Sequence, residues 1–579
     1  MFQVKDPRLR TVEEVVCANT GMTAKELLDD RNDYRIDGLS TAAAMLKKAV
    51  RKGQIIYIAG DYDVDGILAT AILALALKAL NAKMVLRLPK RFTEGYGLKR
   101  GMVDRFQDGQ FLITVDNGIS ALDAVRRARE KGMEVIVTDH HLPVQDEQTG
   151  EARYPEANLI INPNAVPDSA DFTGYCGAGI AFKLAAELLG TGHPMIPRLL
   201  SFAAIATVAD SVPLTGENRR IVKEGLKTMV TRQGTTQGLY ALLCALGLEE
   251  YVTAETVGFK LAPVMNAPGR LKDNGSMEVL KLMLYDGPYS EAKCMAERLL
   301  EDNRERKELS DRWTERVRET IIERNMSGHV PIVVYEPDIP EGVIGIVAGR
   351  VAEAFRSPCI LFGQSARPEV LKGSGRSYGD IHLKNLLDEN RNILIQYGGH
   401  GAAVGMSLER KNLETFRLSL MKTLSGKKRR EACGDMYDLK IHEDDIGQVM
   451  EDIMAFGPYG EGNPAPVFLL ENLALSPVGQ AYYRYLQDGK GVKLLSPQLE
   501  AVSFGGGKEY QTMGTPRHVT LLGTLTTNYY MGKVQNQMEI RKMLPCKAKG
   551  SRSPLLCALE AEAKGRYVHS SQIRKESCG

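Results

Sequence analysis

Short apolar runs alternate with helical patterns through the first two hundred or so residues. Runs at 55–60, 84–89, 111–116, 134–139 and 159–162 are brief and rich in β-branched residues, so they predict buried strands. Between them, Ile67–Leu80 and Ala121–Lys131 carry helical spacing. Strand and helix in strict alternation predict a doubly wound parallel sheet, an α/β domain. A charge-rich helical stretch follows. It passes through Asn303-Arg-Glu-Arg-Lys-Glu-Leu and runs to about Arg324, and its charges read most simply as a solvated face joining two domains.

A second α/β pattern begins near Val330, with a strand at Pro331–Tyr335, a helix at Gly342–Phe355 and a strand at Cys359–Phe362. Glycine-rich segments at Lys372–Ser377 and Gly398–Gly401 read as loops. From about 440 the pattern turns to short β-like stretches, Ala501–Phe504 and His518–Thr526, parted by Gly- and Asn-containing turns. That predicts a small β-barrel. The expected division is therefore 1–225 for an N-terminal segment and the first α/β domain, and 226–325 for a helical connector. A smaller α/β domain spans 326–425, a barrel 436–546, and a weakly ordered basic tail 547–579.

Composition narrows this only slightly. The 579 residues exceed one core, and 44% apolar with 25% charged content is ordinary for globular chains. A formal net charge of +2 neither requires nor excludes a nucleic-acid partner, since a basic groove can hide in a balanced total. Nine scattered cysteines without a Cys-x-x-Cys pair point to a reducing cytoplasm and away from structural zinc. No run approaches the roughly 20 apolar residues of a membrane span, and the N-terminus lacks a signal-like apolar region.

The chemistry concentrates at Asp61-Tyr-Asp63-Val-Asp65-Gly66, directly after the first apolar run. Three carboxylates at one strand end repel unless cations neutralise them. The same spacing opens a calcium-binding EF-hand loop, but that loop needs a preceding helix and a Glu at its twelfth position, which here is Ile72. Three further sites fall at what read as equivalent strand ends: Asp116 after Phe111–Val115, Asp139-His140-His141 after Glu134–Thr138, and Asp210 after Ala203–Ala209. Singly, each could be a helix N-cap or a surface histidine. Strand ends of one parallel sheet converge on one edge, however, and oxygen ligands with an imidazole suit Mn²⁺ or Mg²⁺ better than zinc. Two such ions roughly 3.5–4 Å apart suit phosphoryl chemistry.

Together, Asp61–Gly66, Val115-Asp116-Asn-Gly, Asp139-His140-His141 and Thr207-Val-Ala-Asp210-Ser-Val-Pro-Leu214 resemble the four ordered motifs of the DHH phosphoesterase superfamily. Further stretches narrow the resemblance to the bacterial RecJ family. They are Arg91–Gly97, Cys176–Lys183, Asn266-Ala-Pro-Gly-Arg270, Gly342–Arg350, Gly373–Ser377, Gly398-Gly-His400 and Phe456–Phe468. The resemblance runs from about Asp37 to about Met543.

It implies a DHH domain, a helical connector, a DHHA1 domain and an OB-fold barrel. It also implies a single-stranded-DNA-specific 5′→3′ exonuclease of DNA repair and recombination that releases 5′-mononucleotides with two Mn²⁺ or Mg²⁺ ions. Carried over residue by residue, the metal ligands are Asp61, Asp63, Asp65, Asp116, His140 and Asp210, with Asp116 bridging both ions. Asp65, Asp116, Asp139, His140 and His141 form the catalytic set. Asp139 orients its neighbours, and His141 faces the scissile phosphate either as support or as proton donor. Arg91, Arg270, Arg350, Ser374, Arg376 and His400 face nucleic acid, and Arg91, Ser374 and Arg376 are expected to hold the 5′-terminal phosphate. Tyr482, Tyr483, Tyr485, Tyr529 and Tyr530 could stack bases, yet such clusters more often pack a barrel.

Expected partners are single-stranded DNA, a single-strand-binding protein and a helicase, with the chain a monomer in the cytoplasm. Two competing readings are a phosphodiesterase of short oligoribonucleotides or cyclic dinucleotides, and a non-catalytic DNA-binding scaffold.

Overall fold

The computed structural model describes residues 2–546 except 30, 32–33, 147–148, 426–434, 478–480 and 531; the expected tail at 547–579 lies outside the described residues. The first domain is built on a five-stranded, all-parallel sheet. Its strands Lys83–Arg87, Ile55–Ala59, Phe111–Val115, Glu134–Thr138 and Leu159–Ile161 lie side by side in that order. The chain thus reverses direction across the sheet between the Ile55–Ala59 and Phe111–Val115 strands. A crevice opens at such a switch point, beyond the strands' carboxyl ends. The Val64–Ala79 helix is buried on almost every side, because the Gly177–Leu189 and Ile196–Ala209 helices pack around it.

The 203–209 run, expected to be a strand, belongs to the Ile196–Ala209 helix, so Asp210 caps a helix C-terminus and does not end a strand. Leu199 to Thr207 are all buried. An apolar run buried on every side has no period that separates helix from strand.

The connector ends in one 35-residue helix, Tyr289–Glu323. The second sheet orders its strands Leu394–Gly399, Ala403–Glu409, Val370–Arg376, Cys359–Gln364 and Ile332–Tyr335. The Gly-Ser-Gly-Arg stretch expected as a loop is therefore the middle strand. Its glycines answer to packing: a Cβ on Gly373 would lie 2.4 Å from the Phe362 ring, and one on Gly375 2.7 Å from Val404.

The last module is a seven-stranded sheet around its own core. That core also takes in Val12, Val15, Val16 and Leu27, while Gln3–Val4 pairs in parallel with Met436–Tyr437. The N-terminal segment thus packs with the C-terminal module, although it precedes the catalytic domain in sequence. The long hairpin of His518–Tyr530 and Lys533–Pro545 reaches back to the helical connector, where Tyr251 Oη and Thr527 Oγ1 lie 2.7 Å apart and Thr526 donates to Glu255. Among the described residues, no helix is long and apolar enough to cross a membrane.

Candidate active site

The hexapeptide turns directly from strand to helix. Asp63 caps the Val64–Ala79 helix by accepting the Gly66 amide at 3.1 Å, and Asp61 accepts the Gly97 amide at 3.3 Å. A Cβ on Gly66 would stand 2.5 Å from the Asp61 backbone, so the turn can be this tight only with glycine there. Asp65, in the first helical turn, is held by two amides that open the Gly177–Leu189 helix, Gly177 N at 2.6 Å and Ala178 N at 2.8 Å.

Asp116 leaves its strand in the left-handed region, φ 59°. The Asn117 side chain spans the gap between the two strands that flank the switch point, donating to Ala59 O and Val115 O and accepting from Leu98 N. A Cβ on Gly177 would lie 2.4 Å from that of Asp116, so the helix carrying the Asp65 clamp also needs glycine to approach.

His140 joins the groups. Its Nε2 lies 3.1 Å from Asp116, 3.7 Å from Asp210 and 3.8 Å from Asp65. All six expected ligands therefore meet at the crevice. Ligand atoms of Asp61, Asp63 and Asp116 lie within 4.8 Å of one another, as do those of Asp65, His140 and Asp210, and those of Asp116, His140 and His141. The last set adds His141, which the resemblance had left outside the ligands.

Burial, then neighbouring carboxylates, pushes Asp61, Asp63 and Asp116 upward, and Asp210 to about 9. Burial pushes His140 down. Two buried atoms, Asp116 Oδ1 and His140 Nε2, make no hydrogen bond. Oxygen-rich donors, mutual repulsion and two orphaned lone-pair atoms fit divalent cations.

Asp139 does different work. It accepts from Ile119 N, His140 N, His141 N and His141 Nδ1, the last at 2.7 Å. Burial depresses the His141 imidazolium, but the Asp139 contact overcomes this and holds it at about 9. Tyr96 Oη lies 3.2 Å from the same ring. Tyr96 was absent from the expected site residues even though it falls within the Arg91–Gly97 stretch.

Across the cleft, Arg376 donates to Ser374 Oγ at 3.0 Å and packs against the helix of Gly345, where a Cβ would meet its guanidinium at 2.7 Å. Arg91 lies over the Tyr62 ring at 4.7 Å. Arg270 donates to Gly342 O, and burial, followed by repulsion from Arg91, Arg306 and Arg376, lowers it to about 9. His400 is exposed at the end of an edge strand, close enough for its charge to bear on His140.

Arg350 stands apart, paired with Asp311 at 2.5 Å beside Arg306. Arg306 belongs to the charge-rich helix that read as a solvated face, and no local signal in the sequence marks it out. The tyrosines chiefly pack: Tyr482, Tyr483, Tyr485 and Tyr510 form edge contacts in the barrel module, while Tyr529 stacks on Tyr251 and donates to Glu250. The Tyr530 side chain lies outside the described residues.

Comparison with known proteins agrees with this geometry. The DHH family N-terminal domain matches residues 55–207, the DHHA1 domain 328–425 and the RecJ OB domain 437–542. The single-stranded-DNA-specific exonuclease RecJ of Escherichia coli (strain K12) is 31% identical, over 88% of this chain and 91% of its own length. The protein of the same description from Bacillus subtilis (strain 168) is 30% identical, over 89% of this chain, which spans 64% of that relative's length. The crystal structure of RecJ with Mn²⁺ from Thermus thermophilus superposes with a TM-score of 0.74 at 28% identity, covering 96% of this chain and 80% of that one. With the three domains in family order and an acidic cluster at the carboxyl edge of the first sheet, this chain belongs to the RecJ family of DHH phosphoesterases.

Proposed function

We propose that this chain is a single-strand-specific 5′→3′ DNA exonuclease that releases 5′-mononucleotides in cytoplasmic DNA repair and recombination. The observation that carries the reading is the cluster of buried Asp61, Asp65 and Asp116 with half-buried Asp63, His140 and Asp210, and its two orphaned atoms. Asp61, Asp63 and Asp116 would hold one Mn²⁺ or Mg²⁺, and Asp65, His140 and Asp210 a second. When bound, such a pair lowers the pKa of water and stabilises both oxygens of an in-line displacement.

The chain's own groups supply the rest. Water attacks the phosphorus between the first and second nucleotides, and the bond to the 3′-oxygen of the first breaks. His141, held protonated by Asp139, gives its proton to that oxygen. Arg91, Ser374 and Arg376 seat the 5′-terminal phosphate by charge-assisted hydrogen bonds, which fixes polarity, and Arg270 and His400 line the approach. Arg350, committed to Asp311, contributes field rather than a contact. A monomer working beside a single-strand-binding protein and a helicase fits this reading.

The test uses 5′- and 3′-labelled single strands, duplex and RNA, with Mn²⁺, Mg²⁺ or chelator. Metal-dependent release of mononucleotides from 5′ ends of single-stranded DNA is expected. Equal cleavage of duplex, or cleavage in chelator, overturns it.

A further inference from the structure

The first turn of the Gly216–Met229 helix lies outside the acidic cluster, yet it carries Glu217, Asn218 and Arg219 at 0%, 0% and 1% exposure. Glu217 accepts from the Tyr175 hydroxyl, from Lys183 Nζ at 3.0 and 3.1 Å, and from Arg220 at 2.9 Å. Tyr175 immediately precedes Cys176, the N-cap of the helix whose first amides grip Asp65. Glu217 thus pins that helix at two points, just before its start and again at Lys183.

Asn218 acts in two directions. Its Nδ2 donates to Gly174 O at 2.5 Å, in the loop leading to Asp65's clamp, and to Pro213 O at 3.0 Å, in the loop leaving Asp210. Arg219 reaches the C-terminal module, donating to Ala455 O at 2.8 Å, while Leu214 N donates to Glu461 O at 2.8 Å beside it. A Cβ on Gly462 would meet Pro213 at 2.8 Å, so the module lies directly against the Asp210 loop.

Burying an ionised glutamate with a lysine and an arginine is a poor way to gain stability, because desolvation offsets the attraction. Hydrogen bonds converging from several directions do fix geometry. We propose that this turn is a positioning device: Glu217 and Asn218 set the loops that deliver Asp65 and Asp210, and Arg219 ties that placement to the docked C-terminal module. The role rests on the metal-binding reading of Asp65 and Asp210. Removing a group that orients a metal ligand commonly weakens metal binding by 10–100-fold.

The test compares full-length wild type with Tyr175→Phe, Asn218→Ala and Arg219→Met. The control is Tyr510→Phe, which removes a buried tyrosine hydroxyl bonded to Pro516 O within the barrel module. Mn²⁺ affinity is measured by calorimetry, and amide exchange at 174–178 and 211–215 is followed by mass spectrometry in chelator. We expect about 10-fold weaker Mn²⁺ binding in Tyr175→Phe and Asn218→Ala, faster exchange of both segments in all three variants, and neither change in the control. Wild-type Mn²⁺ affinity in Tyr175→Phe and Asn218→Ala, equal weakening in the control, or unchanged exchange overturns the proposal. Should wild type bind no Mn²⁺, the metal reading itself fails, and exchange alone then judges the positioning role.

Discussion

His140 Nε2 lies 3.1 Å from Asp116 Oδ1, yet neither atom makes a hydrogen bond. A buried imidazole nitrogen and a buried carboxylate oxygen left without a hydrogen bond at contact distance are costly unless a third body takes both lone pairs. His140→Ala and Asp116→Asn should each lower turnover by roughly 10³-fold, since two-metal stabilisation amounts to several kcal/mol. Single-strand affinity, followed by fluorescence anisotropy, should stay close to wild type in both. Residual turnover near the wild-type rate would rule out their role as ligands.

The crowded carboxylates predict how stability depends on pH without metal. Burial, then Asp65 and Asp63, pushes Asp210 from 3.8 to about 9. A carboxyl that holds its proton more tightly folded than unfolded favours the fold at low pH, and that contribution is lost as pH rises from near 3.8 through about 9. His141, raised from 6.5 to about 9, acts in the same direction over the upper part of that window. In chelator, the melting temperature should therefore fall between pH 6 and 9, and Mn²⁺ should raise it most at the alkaline end. A chelated protein that melts at the same temperature across this range would contradict the assignment.

Asp139 accepts four hydrogen bonds and has the His141 ring as its side-chain partner. Asp139→Asn keeps the shape but loses the charge that holds His141 protonated. The alkaline limb of the pH–rate profile should then move to lower pH, with turnover reduced at pH 8 more than at pH 6. A profile merely scaled down at all pH values would make His141 a structural support only.

Arg376 reaches Ser374 and borders a helix that only glycine lets this close. Arg376→Ala should weaken the preference for 5′-phosphorylated over 5′-hydroxyl ends and lower the salt dependence of single-strand binding by about 0.7 in log–log slope. An unchanged preference would move the terminal-phosphate pocket elsewhere.

The catalytic half of the chain was legible because its strands are brief, apolar and each followed by polar chemistry: Asp61, Asp116 and Asp139 stand where Ile55–Ala59, Phe111–Val115 and Glu134–Thr138 place them. Asp210 was read on the wrong kind of element. Its apolar approach is buried on every side, and periodicity carries no information there. Gly373 and Gly375 suggested a loop, whereas the Phe362 ring and Val404 demand small residues within a strand. Tyr96 and the buried turn at Glu217 escaped notice for one shared reason: His141, Tyr175 and Lys183, which they meet, lie far away in sequence. The union of Val12, Val15 and Val16 with a core built more than four hundred residues later is illegible on the same grounds.

That union has a consequence for how the molecule is made. As the chain leaves the ribosome, the Val12–Thr20 helix emerges long before the strands from Leu439 onward that complete its core. The catalytic domain can fold in the interval. Removing the Val12–Thr20 helix would therefore strike a module whose strands begin at Leu439, and not the parallel sheet that follows it in the chain.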